Sequence, residues 1–213
     1  VIHLACISND PSFELNPKLG KSINLDCFRP LVEISLGHKV ERFIYASSSS
    51  VYGIKKVRNV EETMSLEPLT DYSIYKAECE KILSEYVSDN FTSIILRPAT
   101  VCGFSPRQRL DVVVNILTNL AFHKRKISVF GGEQLRPNIH IDDMVDAYVK
   151  LLSAPKDVVN GEIYNVGFEN HSVQEIANIV KKCIGQDVVL QTIPTDDNRS
   201  YHISSSKIQK QLD

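Results

Sequence analysis

Arg42-Phe43-Ile44-Tyr45-Ala46 runs without a break into Ser47-Ser48-Ser49-Ser50-Val51-Tyr52-Gly53. The first five residues are apolar or β-favouring and predict a strand. The next seven predict a loop leaving its carboxyl end, which is where open α/β sheets bind ligands. Upstream, Val1 to Ala5 reads as a buried strand, Ser8-Asn9-Asp10-Pro11 as a polar turn, and Asn16-Pro17 as the capped start of a helix running to about Gly37. Pro30 is the weak point of that helix, because an interior proline costs about 3 kcal/mol or forces a kink. Downstream, Thr70 or Asp71 can cap a helix spanning 71–89, with Ile74, Ala77, Ile82, Leu83 and Tyr86 as its apolar stripe. Thr92 to Leu96 then forms a strand ending in Arg97-Pro98. Strands alternating with helices in this way make an α/β parallel sheet with helices on its faces.

Beyond residue 104 the alternation loosens. Helices are predicted at 110–122, 142–152 and 172–184, and strands at 127–130, 139–141, 163–166 and 188–193. The organisation expected is a sheet-building part, 1–104, and a smaller mixed α/β lobe, 105–213, from which about 139–167 returns to the sheet. The nine glycines form neither a G-x-G-x-x-G turn nor a P-loop.

Composition narrows the function. The chain has 213 residues, 43% of them hydrophobic, enough for a packed core, so disorder is excluded. Lys+Arg 24 against Asp+Glu 26 gives a net charge of −2, without the basic excess of a nucleic-acid binder. No apolar run approaches the ~18 residues that span a bilayer, so no membrane partner is expected. The cysteines, at 6, 27, 79, 102 and 183, match neither a disulfide framework nor a zinc site. A reducing cytoplasm suits them, and no metal is assigned.

The chemistry concentrates at Tyr72-Ser73-Ile74-Tyr75-Lys76, where a phenol and an ammonium at i and i+4 share one face of the predicted helix. A phenol with pKa ≈ 10 must lose ~3 units, about 4 kcal/mol, to act as a base near pH 7. A positive charge ~4 Å away at an effective dielectric of ~20 supplies about that much. The same spacing recurs at Tyr52 and Lys56, in a glycine-bearing loop where it fixes no geometry. A tyrosine packed over a lysine stem is the plain alternative for either pair. The serines at 47–50 could bind a substrate hydroxyl or simply make a turn.

Five features occur in order: Val-Ile-His-Leu-Ala at 1–5, S-S-S-S-V-Y-G at 47–53, Tyr72 with Lys76, L-R-P-A-T-V-C-G at 96–103, and R-P-N-I-H-I-D-D at 136–143. Together they resemble the extended short-chain dehydrogenase/reductases, specifically the nucleotide-sugar epimerases and dehydratases. The segments Tyr164 to Gly167, Ser172 to Ile176 and Arg199 to Ile208 extend the likeness over essentially the whole chain. The resemblance implies a Rossmann-like sheet with a substrate lobe, NAD as cofactor and a nucleotide-diphosphate sugar as substrate. It also implies a homodimer built through the helices at about 17–37 and 71–89. By it, Tyr72 exchanges the proton, Lys76 holds the nicotinamide ribose and lowers the phenol, and Ser48 binds the sugar hydroxyl. Leu4, Ala5 and Pro98 join the cofactor contacts. Ser49, Thr100, Arg136 and Arg199 join the substrate contacts, the arginines gripping the diphosphate. His140 and Asp142 are expected to support the fold.

Departures from that pattern shape the expected reaction. Ser49 and Ser50 stand where dehydratases carry acids, which disfavours dehydration. Serine at 50 also weakens a decarboxylase reading. Thr100 and Cys102 replace a frequent asparagine and tyrosine, which puts the contacts there in question. The family's first βαβ unit, with its glycine fingerprint, has no counterpart, so the 213 residues are expected to be a fragment that binds NAD poorly. A 4-epimerase is the leading expectation. The alternatives are a keto-sugar reductase, a decarboxylase, or a non-catalytic binding or assembly protein.

Overall fold

The computed structural model describes residues 1–8, 10–55, 57–195, 200 and 202–212. In chain order the elements are β1 (Ile2–His3), α1 (Asp10–Glu14), α2 (Pro17–Lys21), a π-helical turn (Ser22–Asp26), α3 (Phe28–Gly37) and β2 (Arg42–Ala46). A 3-10 turn (Ser49–Tyr52), α4 (Asp71–Ser84), β3 (Thr92–Pro98), β4 (Thr100–Cys102), α5 (Val113–Lys124) and β5 (Lys126–Phe130) follow. The last are β6 (Leu135–His140), α6 (Ile141–Ser153), α7 (Lys156–Val159), β7 (Ile163–Val166), β8 (Glu169–Ser172), α8 (Val173–Ile184), β9 (Val189–Ile193) and α9 (Ser206–Leu212).

The expected parallel sheet is present, in the order β1-β2-β3-β7, with Ile44 opposite Ile2 and Ile94. Alternation along β2 sends its side chains to opposite faces. Phe43 and Tyr45 pack with Phe28 and Val32 of α3 and with Cys79 and Leu83 of α4. Ile44 joins Ile94, Leu96, Tyr164 and, from α6, Met144 and Leu151. Helices therefore cover both faces. A separate sheet of order β4-β6-β8 and a β5-β9 pair complete the strands, with α5 and α8 closing a second core around Ile127, Val129 and Ala177.

Several local expectations are corrected. The helix expected from Asn16 to Gly37 is broken into α2, the π turn and α3, because Pro30 has no N–H to donate to Asp26. The helix restarts at Phe28, which places Pro30 in its first turn, where a missing donor costs little. Part of the polar turn at 8–11 is instead helix α1, Asn9 lying outside the described residues. α4 ends at Ser84, short of 89. Its buried face is Ser73, Lys76, Ala77, Cys79, Glu80 and Leu83, rather than the stripe through Ile74 and Ile82. In the stretch around 139–167, β7 joins the parallel sheet, whereas β6 pairs with β4 and β8.

Candidate active site

The carboxyl ends of β1, β2 and β3 open into a cleft of about 880 Å³, whose far wall is made by α5, β6 and α6. Leu4, Ser48, Ser49, Tyr72, Pro98 and Thr100 line it on the sheet side, and Arg136 on the opposite side. Ala5, exposed after β1, does not line the cleft. Arg199 and the Lys56 of the second tyrosine–lysine spacing lie outside the described residues.

The serine bend is shaped from within. Ser48 is extended, and its Oγ caps the 3-10 turn by accepting from the Ser50 N–H at 3.1 Å and meeting Ser50 Oγ at 2.8 Å. Gly53 ends the turn at φ 66°, and a Cβ there would lie 1.9 Å from the Glu67 carbonyl oxygen. Only glycine fits that approach. Beneath the bend, Ser47 is buried, its N–H donating to the Leu96 carbonyl at 2.8 Å and its hydroxyl to Glu80.

α4 delivers the phenol and the ammonium. Thr70 caps it reciprocally with Ser73, fixing the first turn, in which Tyr72 sits half-buried. Lys76, 4% exposed, lies under the cleft floor. Its Nζ is 5.8 Å from the Tyr72 ring centre and 4.9 Å from the Tyr45 ring centre, and it donates to the Ala46 carbonyl at 2.5 Å. Burial pulls this ammonium below the ordinary lysine value, while Cys6, Cys79 and Glu80 pull the other way. The expected i, i+4 pairing is thus realised, with Lys76 anchored to the end of the strand that carries the serines.

Four features were not singled out from the sequence. Asn24, buried in the π turn, clasps the chain leaving β1: its amide oxygen accepts from the Ile7 N–H at 2.8 Å and its NH₂ donates to the Ile7 carbonyl at 3.0 Å. Glu80 and Arg97 form a buried ion pair, Nη2 to Oε2 at 2.6 Å. Burial alone would lower the Arg97 guanidinium, but the hydrogen bonds and charge of Glu80 raise it. Glu80 stands on α4 four residues after Lys76 and eight after Tyr72. Arg107 and Arg109 line the cleft beside Arg136, Arg109 pairing with Asp111 at 2.8 Å. Tyr148 lines it from α6, its phenol pushed up first by burial.

Arg136 is half-buried on β6, Nη1 donating to the Leu135 carbonyl at 3.0 Å. His140 accepts from the Asp142 N–H at 3.3 Å and so caps α6, a supporting role. Among the described residues, no group of three or more His, Cys, Asp or Glu is arranged to hold a metal ion.

A parallel sheet with helices on both faces, whose strand ends open onto a tyrosine and a serine bend with a buried lysine beneath, defines a Rossmann-like α/β fold. Residues 1–167 match the family described as NAD dependent epimerase/dehydratase family. The chain is 33% identical over 170 residues to YtcB of Bacillus subtilis, an uncharacterized UDP-glucose epimerase, covering 78% of this chain and 52% of that protein. It is 31% identical over 192 residues to human dTDP-D-glucose 4,6-dehydratase, covering 83% and 53% respectively. A UDP-glucose 4-epimerase of Thermotoga maritima, solved with UDP-glucose, superposes with a TM-score of 0.88 at 25% identity, over 100% of this chain and 70% of that one. The chain belongs to the NAD-dependent epimerase/dehydratase family, whose members are enzymes. It spans about half the length of these curated relatives.

Proposed function

We propose that the chain carries the catalytic and sugar-binding parts of an NAD-dependent nucleotide-sugar epimerase that inverts C4 through a keto sugar. The observation that carries this reading is the convergence of Tyr72 and Lys76 on one helix face, at the cleft that Ser48 also lines. Leu4, Pro98 and Tyr72 line the cleft at the strand ends, with Lys76 bonded to the Ala46 carbonyl beneath them, a set that fits the nicotinamide-ribose side of the cofactor, whereas the 213 residues hold no G-x-G-x-x-G turn for its pyrophosphate. When bound, the cofactor supplies hydride acceptance and return.

The chain's own groups handle the proton and the position. Ser48 Oγ hydrogen-bonds the sugar hydroxyl, and the Tyr72 phenol oxygen takes its proton and gives one back. Lys76 has three donors: one holds the Ala46 carbonyl, and the others serve the phenol and the ribose. Arg136, with Arg199, grips the diphosphate, and Ser49 and Thr100 contact the sugar. The relatives include a UDP-glucose epimerase and UDP-arabinose 4-epimerase 1 of Arabidopsis thaliana, 27% identical over 205 residues. Ser49 and Ser50 offer no carboxylate for the proton movements of dehydration, which favours epimerisation over the dehydratase reaction.

We further propose a cytoplasmic homodimer. Five free thiols support the compartment, and Leu19, Ile23 and Ile34, exposed along the first helical region, support the assembly, which sedimentation would detect.

The test is Tyr72→Phe in the full-length protein, supplied with NAD and UDP-glucose. Loss of the phenol proton is expected to lower kcat by about 10²-fold or more while UDP binding by calorimetry stays unchanged. Unaltered turnover would assign the cleft to binding rather than chemistry.

A further inference from the structure

Glu80 and Arg97 are charged side chains buried to 3% exposure each, and the proton chemistry uses neither of them. A buried ion pair is a poor source of stability, since apolar side chains of similar size commonly serve as well or better. What this pair does is visible in where its bonds go. The Arg97 guanidinium places Nε at 3.0 and 3.2 Å from the two Glu80 oxygens. Its Nη1 donates to Tyr52 OH at 2.8 Å and to the Glu62 carbonyl at 3.1 Å. Glu80 accepts from the Ser47 hydroxyl. Tyr52 OH donates in turn to Asn165 Oδ1 at 2.7 Å, and Asn165 Nδ2 donates to the Val60 carbonyl at 3.0 Å.

These bonds seize the serine bend at both ends, Ser47 and Tyr52, while between them the Val51 carbonyl accepts from the Glu67 N–H at 3.1 Å. The same carboxylate lies on α4, one turn beyond Lys76 and two beyond Tyr72, so it also sets the rotation of that helix about its axis. We propose that the Glu80–Arg97 pair is a positioning device that locks the serine bend to α4, holding Ser48 and Tyr72 in fixed relation. The proposal rests on the reading of Tyr72 and Ser48 as the reacting and substrate-binding groups. Its structural part, the locking of the bend, stands apart from turnover. Preorganisation of this kind acts on the chemical step, because a reacting geometry loosened by even 1 Å loses rate without losing binding.

The experiment is Glu80→Leu combined with Arg97→Met, which replaces the pair by apolar side chains and removes its side-chain bonds to Ser47, Tyr52 and Glu62, leaving the Ser47 N–H on Leu96 and the Tyr52 hydroxyl on Asn165. Hydrogen exchange on the 213-residue chain is expected to show Ser48–Tyr52 amides exchanging about ten-fold faster or more, while the strand amides of β2 and β3 and the urea midpoint stay near native. In the full-length protein, kcat is expected to fall about ten-fold with KM changed less than about two-fold, and Arg97→Lys, which keeps one charged bond, to recover part of the loss. Native protection of 48–52 in the double variant would overturn the proposal, whatever the turnover. An inactive native protein would sink the epimerase reading instead and leave the exchange result to decide this one. Should the double variant fail to fold, Tyr52→Phe removes the Tyr52 bonds alone. Faster exchange of 48–52 is then expected, and unchanged exchange overturns the proposal.

Discussion

Lys76 buries an ammonium against a carbonyl oxygen, the ring of Tyr45 and the thiol of Cys6, with the Glu80 carboxylate nearby. Its folded pKa therefore lies below the ordinary 10.5, burial being the largest cause. Between the lowered value and 10.5 the unfolded chain holds the extra proton, so this group's contribution to stability rises with pH across that window. Urea unfolding of the native protein and of Lys76→Met at about pH 8 and at about pH 10.5, the top of that window, checks this: the native chain should gain relative to the variant at the higher pH. Parallel behaviour of the two would mean that the ammonium is not buried as described. The phenol–ammonium pair was legible in the sequence because a four-residue spacing on a helix dictates a shared face. Asn24 and Glu80 were not, because an isolated polar residue in a helical pattern ordinarily faces solvent, and only the packed structure shows theirs turned inward.

Among the elements, α4 matters most, since its first turn holds Tyr72. Thr70 Oγ1 accepts from the Ser73 N–H at 3.3 Å, while Ser73 Oγ accepts from the Thr70 N–H at 3.1 Å. Thr70→Ala is expected to cost about 1 kcal/mol. In a chain of this size that lowers the thermal midpoint by about 2–4 °C. An unchanged midpoint would show the cap to be redundant. Val173–Ile184 was readable from its period, because burial of one helix face leaves a regular trace, and Thr92–Pro98, buried on both faces, from its short apolar run. The π turn was not, since it arises from a conflict between Pro30 and the helix around it and from the use of Asn24 to hold Ile7. The short strands β4 and β8 went unread for a different reason: three or four residues carry too little alternation to register.

At the level of the whole molecule, the cleft exists because segments far apart in sequence converge. Leu4, the bend at 47–53, Tyr72 and Thr100 meet at the strand ends, and Arg136 lines the same cleft from β6. The class of fold was legible from strand–helix alternation, but the partition of strands among three sheets was not. β6, Leu-Arg-Pro-Asn-Ile-His, carries too little apolar pattern to say which sheet it joins, and its place is settled by long-range register with β4 and β8. The functional account reduces to whether the Lys76 ammonium acts on the Tyr72 phenol across this assembled site. Carbon-13 NMR of ring-labelled tyrosines, with Tyr72 assigned through Tyr72→Phe, measures that directly in the native chain and in Lys76→Met. The account predicts that the Tyr72 phenol loses its proton at lower pH in the native chain than in the methionine variant, and identical titration curves would contradict it.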